Sequence, residues 1–455
     1  MAIKTLHLTN AYHATSGGIR TFYRALLTRA NEEQRPFRLV VPGATDSVED
    51  IGAWARIYTV RARSSPVFDA RYRLLLPPSY LARDGQLRRI LEDEQPDLIE
   101  ICDKYSLFYL AALLRRQWLP AIKRPTLVGL SCERMDDNVS AYLSRGRAAR
   151  AFSRAYIRHL YGPPFDAHVA NSEYTAAELR RSLSDRSPDF IQVCPMGVDF
   201  GAFGPVHRDR QLRRRLLIEA GGTGDSVLLF YAGRLSPEKN PGLLVDMLQH
   251  LQRTTEWDAR DYRLVVAGDG PMAETLIRDA SSRARHRVLW LGAIRDRTEL
   301  AKYYASADVF VHPNPREPFG IGPLEAMASR VPVVLPSAGG VLSYANPTNA
   351  WLAEPQGESF AHAVRSVMAR PSPARVAAAT ETARQLDWSQ VASRFFKVYD
   401  DLHRRRLQAS PATPAPTGLR LLKPVTPEFA LSTTVSHGIV TGLGHSAVQE
   451  SEVTE

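Results

Sequence analysis

Apolar residues along this chain come in short continuous runs, and between the runs lie stretches whose apolar positions recur with a helical period. Runs at 3–8, 37–42, 97–101, 126–130, 166–171 and 191–194 predict buried strands. The segments 21–29, 83–94 and 107–117 predict helices between them, and Ser172 is placed to cap another. The rhythm breaks at a Gly- and Pro-bearing stretch near 200–210, then resumes. Strand runs follow at 227–232, 263–267, 288–291, 307–312 and 331–335, alternating with helical segments at 212–220, 243–251, 272–284 and 298–305. Alternation of this kind predicts an α/β fold built of two Rossmann-like domains with parallel sheets, each carrying its ligand edge at the carboxyl ends of the strands. The cleft between them is the expected active site. Expected boundaries are 1–203 for the first domain and 204–386 for the second. A terminal helix over 387–408 is capped at Asp387-Trp388-Ser389. Residues 409–455, rich in Pro, Thr, Ser and Gly, lack the apolar periodicity to fold alone and are expected to be disordered, with 419–422 as a docking patch.

One helical stretch differs from the others. Residues 145–161 carry five arginines, one histidine and no acid. On a 3.6-residue period Arg147, Arg150, Arg154 and Arg158 share one side, while Ala148, Phe152, Ala155, Tyr156 and Leu160 share another. Two readings stand: a solvated arginine face over a packed apolar face, or a patch for an anionic membrane surface.

With 455 residues, 44% of them hydrophobic, the chain can bury large cores. Its net charge of +10 calls for an anionic partner, and the stretch after Ser410 is itself net acidic, so the excess lies in the folded part. No nucleic-acid-binding module is recognisable, and nucleic acid is not an expected partner. Cys102, Cys132 and Cys194 are widely spaced and match no disulfide framework or zinc site. No apolar run reaches the roughly 18–20 residues of a membrane span, and the first residues lead straight into a strand. A cytoplasmic protein is expected, peripheral on the membrane if the arginine helix binds lipid.

The densest chemistry lies at Glu317–Glu325, EPFGIGPLE, where a strand leads through a Gly-bearing turn into a helix. Unpaired N–H groups at such a helix start suit a phosphate. Carboxylates beside it would repel the phosphate directly, so they are expected to accept hydrogen bonds from hydroxyls on either side, as a sugar and a ribose offer. Arg234 and Lys239, on a strand-end loop, are spaced to reach one anion. Paired Gly17 and Gly18 form a first βα turn that can approach a phosphate, although a purely structural turn is equally compatible with the pair.

Two glutamates with seven residues between them, F-G inside and E-A-M-A at the second, resemble the signature of the family 4 retaining glycosyltransferases. Further resemblance lies in YAGRLSPEKN (231–240), VAGDGP (266–271), LGAIRDRTELAKYYASADVFVHP (291–313) and Gly339-Gly340, and more weakly in SGGIRTF (16–22), ANSEYTAAEL (170–179) and PMGVD (195–199). The likeness covers about residues 1–406 and implies the GT-B architecture, with the terminal helix returning across the cleft to the first domain. It implies a nucleotide-diphosphate sugar as donor and a lipid-linked or small glycoside as acceptor, with no cofactor or metal. Arg234 and Lys239 would contact the donor diphosphate, Glu317 the sugar hydroxyls and Glu325 the ribose. Backbone at Phe319, Gly320 and Ile321 would approach the phosphates, closed from the other domain by Gly17 and Gly18, and Gly292, Ala293 and Ile294 would line the base pocket. His312 ends a strand near this site and is expected to be structural. Transfer would retain anomeric configuration by front-face attack. Mannose from GDP-mannose is the first expectation and glucose from a UDP donor the second. A sugar-nucleotide epimerase or hydrolase, or a non-catalytic sensor, is the alternative on the same plan.

Three positions depart from the family pattern. Arg330 stands where the family has Gly, Ser343-Tyr344 where an acid follows the glycine pair, and Ser131-Cys132-Glu133 where a His is common, which makes Cys132 and Glu133 candidate contacts to donor sugar or acceptor.

Overall fold

The computed structural model describes residues 2–13, 17–65, 73–142, 147–253, 258–284 and 286–409. The expected tail, with its docking patch at 419–422, lies outside the described residues from 410 onward.

Sixteen strands are formed by the described residues: β1 (Thr5–Thr9), β2 (Phe37–Gly43), β3 (Ser47–Asp50), β4 (Ala55–Arg61), β5 (Arg63–Ser64), β6 (Arg73–Leu74), β7 (Leu98–Cys102), β8 (Thr126–Ser131), β9 (Ala167–Ala170), β10 (Ile191–Val193), β11 (Val227–Ala232), β12 (Tyr262–Ala267), β13 (Val288–Gly292), β14 (Val309–Val311), β15 (Val333–Pro336) and β16 (Trp351–Ala353). The first sheet runs β10-β9-β8-β7-β1-β2-β4-β3 and is parallel except for the β3–β4 pair at its edge. The second runs β13-β12-β11-β14-β15-β16 and is parallel throughout. Among the described residues, β5 and β6 pair only with each other. The central strands are buried on both faces, the condition under which a strand reads as a continuous apolar run: β8 (TLVGLS) is buried at every residue.

In the second sheet the strand order reverses between β11 and β14. The loops leaving these two strands, 233–241 and 312–320, therefore open on the crevice where a doubly wound sheet binds its ligand. The terminal helix Trp388–Gln408 buries Val391, Phe395, Phe396 and Tyr399 and packs against the helix Gly18–Glu32, with Phe395 edge-on to Phe22 at 4.9 Å between ring centres. Tyr399 also donates its hydroxyl to Glu100, a fully buried carboxylate on β7 that accepts a second bond from Tyr23 at 2.7 Å. The return of this helix to the first sheet, expected from the resemblance, is thus made by both aromatic packing and a buried carboxylate.

The arginine helix is oriented differently from the expectation. Over the described part, Arg147–Tyr156, the buried positions are Ala149 and Ser153, followed by Ile157 in the π-helical turn Ile157–Tyr161. Ala148, Phe152, Ala155 and Leu160, the side expected to pack, face outward; Phe152 is 57% and Leu160 40% exposed. Arg147, Arg150, Arg154 and Arg158 are exposed as well. Small Ala149 and Ser153 let the helix approach the lobe closely, and this contact outweighs the larger apolar residues.

Candidate active site

Glu317 sits in the loop after β14, nearly buried, and three side chains converge on it. Lys239 Nζ donates to both carboxylate oxygens at 2.8 and 2.9 Å, Asn314 Nδ2 donates to Oε2 at 2.9 Å, and the His312 ring lies 3.2 Å from the same oxygen. Burial by itself would raise this carboxyl, but the Lys239 ammonium and the His312 ring outweigh it, and the group is held well below the usual carboxylate range. The acid is therefore a fixed anion, an acceptor for hydroxyls that cannot serve as a proton donor near neutral pH. His312 is more than the structural strand end expected of it, since it helps to hold that charge. Lys239 arrives from the short helical turn Pro237–Lys239 in the loop after β11, which Asn240 leaves in the left-handed region (φ +52°) while its side chain donates to the Pro313 carbonyl at 3.2 Å.

Glu325 lies two turns away on the helix Ile321–Ala328, also buried, in different surroundings. Burial pushes its carboxyl up to about 7, against the lowering pull of Arg297 and the Tyr304 hydroxyl and with a further rise from Asp199. Two carboxyls eight positions apart are thus separated electrostatically, one a permanent anion and the other titrating at neutral pH.

Between them the backbone is braced. Gly320 caps the helix with φ +89°, a conformation that suits only glycine well here, because a Cβ would also meet Glu317 Cγ and Val341 Cγ1 at 3.1 Å. Its carbonyl accepts from Tyr344 Oη at 2.6 Å, which gives the departure at Ser343-Tyr344 a structural role. The Gly340 N–H donates to the Glu317 carbonyl at 2.6 Å. A Cβ on Gly340 would lie 1.9 Å from the Pro318 carbonyl oxygen, so only glycine admits that carbonyl.

Gly18 opens the helix of the first lobe facing Ile321; a Cβ there would sit 3.4 Å from Ile321 Cδ1, while Gly17 borders open space. The two helix starts expected to share one anion are therefore brought together. Arg234 follows β11 on the Lys239 loop, its carbonyl accepting from Tyr231 Oη at 3.3 Å. Gly292 (φ +69°) ends β13, with its carbonyl bonded by Gly268 N–H at 2.7 Å; Ala293 and Ile294 continue this edge of the second sheet, Ile294 packed on the core.

Cys132 and Glu133 lie at the end of β8 in the first lobe. The Cys132 thiol packs against the core shared with Cys102, and burial, then Cys102, push its pKa up, so it is no ready thiolate. The Glu133 carboxyl is also raised by burial, with Lys104 and Asn138 pulling the other way; Asn138 Nδ2 donates to it at 2.9 Å. Sequence reasoning assigned no role to Asn314, Tyr304 or Arg297: Asn314 reaches Glu317 from three residues away in the same loop, and Arg297 and Tyr304, on the helix Arg297–Ser306 within the family-like stretch 291–313, act on Glu325.

Two family models match, one for each lobe: Glycosyltransferase Family 4 over residues 16–201 and Glycosyl transferases group 1 over residues 216–385. The chain belongs to the family 4 glycosyltransferases. A GDP-mannose-dependent alpha-(1-6)-phosphatidylinositol dimannoside mannosyltransferase of Mycobacterium tuberculosis is 29% identical over 392 residues, 86% of this chain and 94% of that protein. A D-inositol 3-phosphate glycosyltransferase of Xylanimonas cellulosilytica is 33% identical over 53% of this chain and 58% of its own length. Among solved structures, sucrose-phosphate synthase from Thermosynechococcus elongatus superposes with a TM-score of 0.68 at 19% identity, covering 88% of this chain and 100% of that one. A glycosyltransferase from Rickettsia africae gives 0.64 at 14% identity over 88% and 98%. This glycosyltransferase therefore has the GT-B fold, uses a nucleotide sugar and is an enzyme.

Proposed function

We propose that this glycosyltransferase moves mannose from GDP-mannose, with retention, to a glycosylated lipid acceptor at an anionic membrane surface. The observation that carries the reading is the similarity to the phosphatidylinositol dimannoside mannosyltransferase over 94% of that protein's length. In this reading the first lobe (1–203) takes the acceptor, the second (204–386) the donor, and the helix 387–408 ties them. Arg234 and Lys239 meet the leaving diphosphate, where cationic donors stabilise the charge that grows as the glycosidic bond breaks. Phe319, Gly320 and Ile321 offer backbone N–H groups to the same phosphates, opposite Gly17 and Gly18. Glu317, kept ionised, accepts from sugar hydroxyls, and Glu325 from the ribose; Gly292, Ala293 and Ile294 border the base. The acceptor hydroxyl attacks from the face the diphosphate leaves, and a phosphate oxygen takes its proton. The cations and helix starts do the work of a metal, so turnover should persist in excess EDTA. Cys132 and Glu133 remain the candidates for reading the sugar or the acceptor from the first lobe.

Support for the lipid surface comes from the helix Arg147–Tyr156 and the turn after it, where Arg147, Arg150, Arg154 and Arg158 accompany outward-facing Phe152 and Ala155. Tyr109, on the helix Phe108–Arg115, adds a further exposed aromatic to the first lobe. Among the described residues no helix is long and apolar enough to cross a membrane.

The deciding experiment incubates the enzyme with GDP-mannose or UDP-glucose, with and without a phosphoinositol glycolipid, and analyses products by mass spectrometry and anomeric NMR. An α-mannoside formed only when the acceptor is present is expected. Exclusive use of UDP-glucose, an inverted anomer, or isomerised donor without acceptor would each overturn the corresponding part of the reading.

A further inference from the structure

We propose that Ser172 is a positioning residue of the transfer reaction: from the first lobe it aims a backbone N–H of the second lobe at the donor diphosphate. Ser172 is fully buried and belongs to the end of β9, yet its hydroxyl donates across the cleft to the Pro318 carbonyl at 2.5 Å. It also caps the helix Glu173–Ser182, accepting the Thr175 N–H at 3.1 Å. One hydroxyl thus accepts from its own lobe and donates to the other, and both bonds fix its rotamer.

What the second bond fixes follows from the planarity of the peptide unit. The Pro318 carbonyl and the Phe319 N–H belong to one plane and point in opposite directions. Holding the carbonyl toward Ser172 therefore turns the Phe319 N–H away from Ser172 and the helix Glu173–Ser182. Among the described residues, neither the Phe319 nor the Gly320 N–H has a backbone acceptor. The carbonyls on either side are held from within the second lobe, Glu317 by the Gly340 N–H and Gly320 by Tyr344 Oη. Of these three carbonyls, only that of Pro318 takes its bond from the first lobe among the described residues. Gly340 leaves room for the Pro318 carbonyl, and the Glu173–Ser182 helix packs on the turn Gly340–Ser343, so the contact is part of a wider seam between the lobes. Closing the cleft and aligning this donor are therefore one event: with the lobes apart, the peptide is free to turn and the N–H is lost to the phosphates.

This inference rests on the proposed placement of the diphosphate at Phe319–Ile321, and the test separates the two. Ser172→Ala removes cap and cross-lobe bond together. Ser172→Asp keeps an acceptor for the Thr175 N–H but has no hydrogen for Pro318. Ser172→Thr keeps both. Each purified variant is titrated with GDP, then assayed with donor and acceptor below its own unfolding temperature. Expected is a kcat loss of about tenfold to a hundredfold per folded molecule for Ser172→Ala and Ser172→Asp, in the range for a misdirected donor to a developing anion. KM for acceptor should change less than threefold, and Ser172→Thr should restore kcat to within about threefold. Recovery of kcat by Ser172→Asp would show that the cap alone matters and overturn the proposal, as would full turnover by folded Ser172→Ala. Should neither GDP nor UDP bind the wild-type chain, the diphosphate placement fails first, and the Ser172 role fails with it.

Discussion

At the scale of single residues, the site consists of charges that have been set against one another. Lys239 neutralises Glu317 until substrate arrives, then has a second anion to serve; Lys239→Ala should lower kcat roughly a hundredfold or more while the fold is kept, as steady-state kinetics beside a melting curve will show. The two glutamates should fail differently. Glu325→Gln is expected to weaken nucleotide diphosphate itself and Glu317→Gln only the intact sugar donor, and calorimetric titration with both ligands tests the split. Glu325 also makes a prediction about pH. Its carboxyl titrates near 7 in the folded chain against an ordinary value of 4.5, so between these pH values the folded state keeps a proton that the unfolded state releases. Its contribution to stability is therefore intact below about pH 4.5 and declines as pH rises to 7, by on the order of 3 kcal/mol at most. Glu325→Gln should accordingly stabilise the ligand-free protein at pH 8 but not at pH 4.5, measured as denaturant midpoints. Glu317, shifted the other way, loses its contribution as pH falls. The positions of both carboxylates and of Lys239 were legible in the sequence because the family motif fixes them. Their charge states were not, because they depend on burial, on the turn that folds His312 and Asn314 back onto Glu317, and on the approach of Lys239 to Glu317 and of Arg297 toward Glu325.

At the scale of elements, strands buried on both faces were read correctly from their apolar runs, β11 to the residue. β3 (SVED) escaped notice because it is exposed at every position; β4 and β16 were missed although Ala55, Ile57, Val60, Trp351 and Ala353 are buried, their apolar runs being short and interrupted by polar residues or flanked by loops. A helical period tells which residues share a side and not which side finds a neighbour; that is why the packed face of Arg147–Tyr156 was misjudged. Its outward aromatic now sharpens the membrane test. Replacing Arg147, Arg150, Arg154 and Arg158 by Gln should abolish salt-sensitive co-sedimentation with anionic vesicles, and Phe152→Ser should weaken the part that survives high salt. Arg330 supplies a second element-scale test. It closes the helix Ile321–Ala328 with φ +59°, and the following Val331 N–H turns back to the Ala326 carbonyl at 3.1 Å, the geometry of a glycine-terminated helix. Arg330→Gly should raise stability by up to about 1 kcal/mol with no change in KM for donor, read from thermal midpoints and initial rates.

At the scale of the whole molecule, the two sheets of an α/β fold were visible in the alternation of strand and helix. The joining contacts were not, since Ser172 reads as a simple helix cap and Tyr399 as one more apolar-face aromatic. Tyr399 bears on how the protein is made. Its partner Glu100 lies 299 residues earlier, and Phe22 on the helix Gly18–Glu32 and Phe37 on β2 also wait for Phe395 and Phe396. During synthesis the first lobe must therefore persist with an uncovered apolar groove, and with a buried carboxylate held by Tyr23 but still lacking its Tyr399 partner, until the second lobe has emerged and folded. Contacts of such long sequence separation form late, and the exposed groove is a natural site for chaperone binding in the interval. The first half expressed alone should for this reason be far less soluble than the same half supplied in trans with the terminal helix.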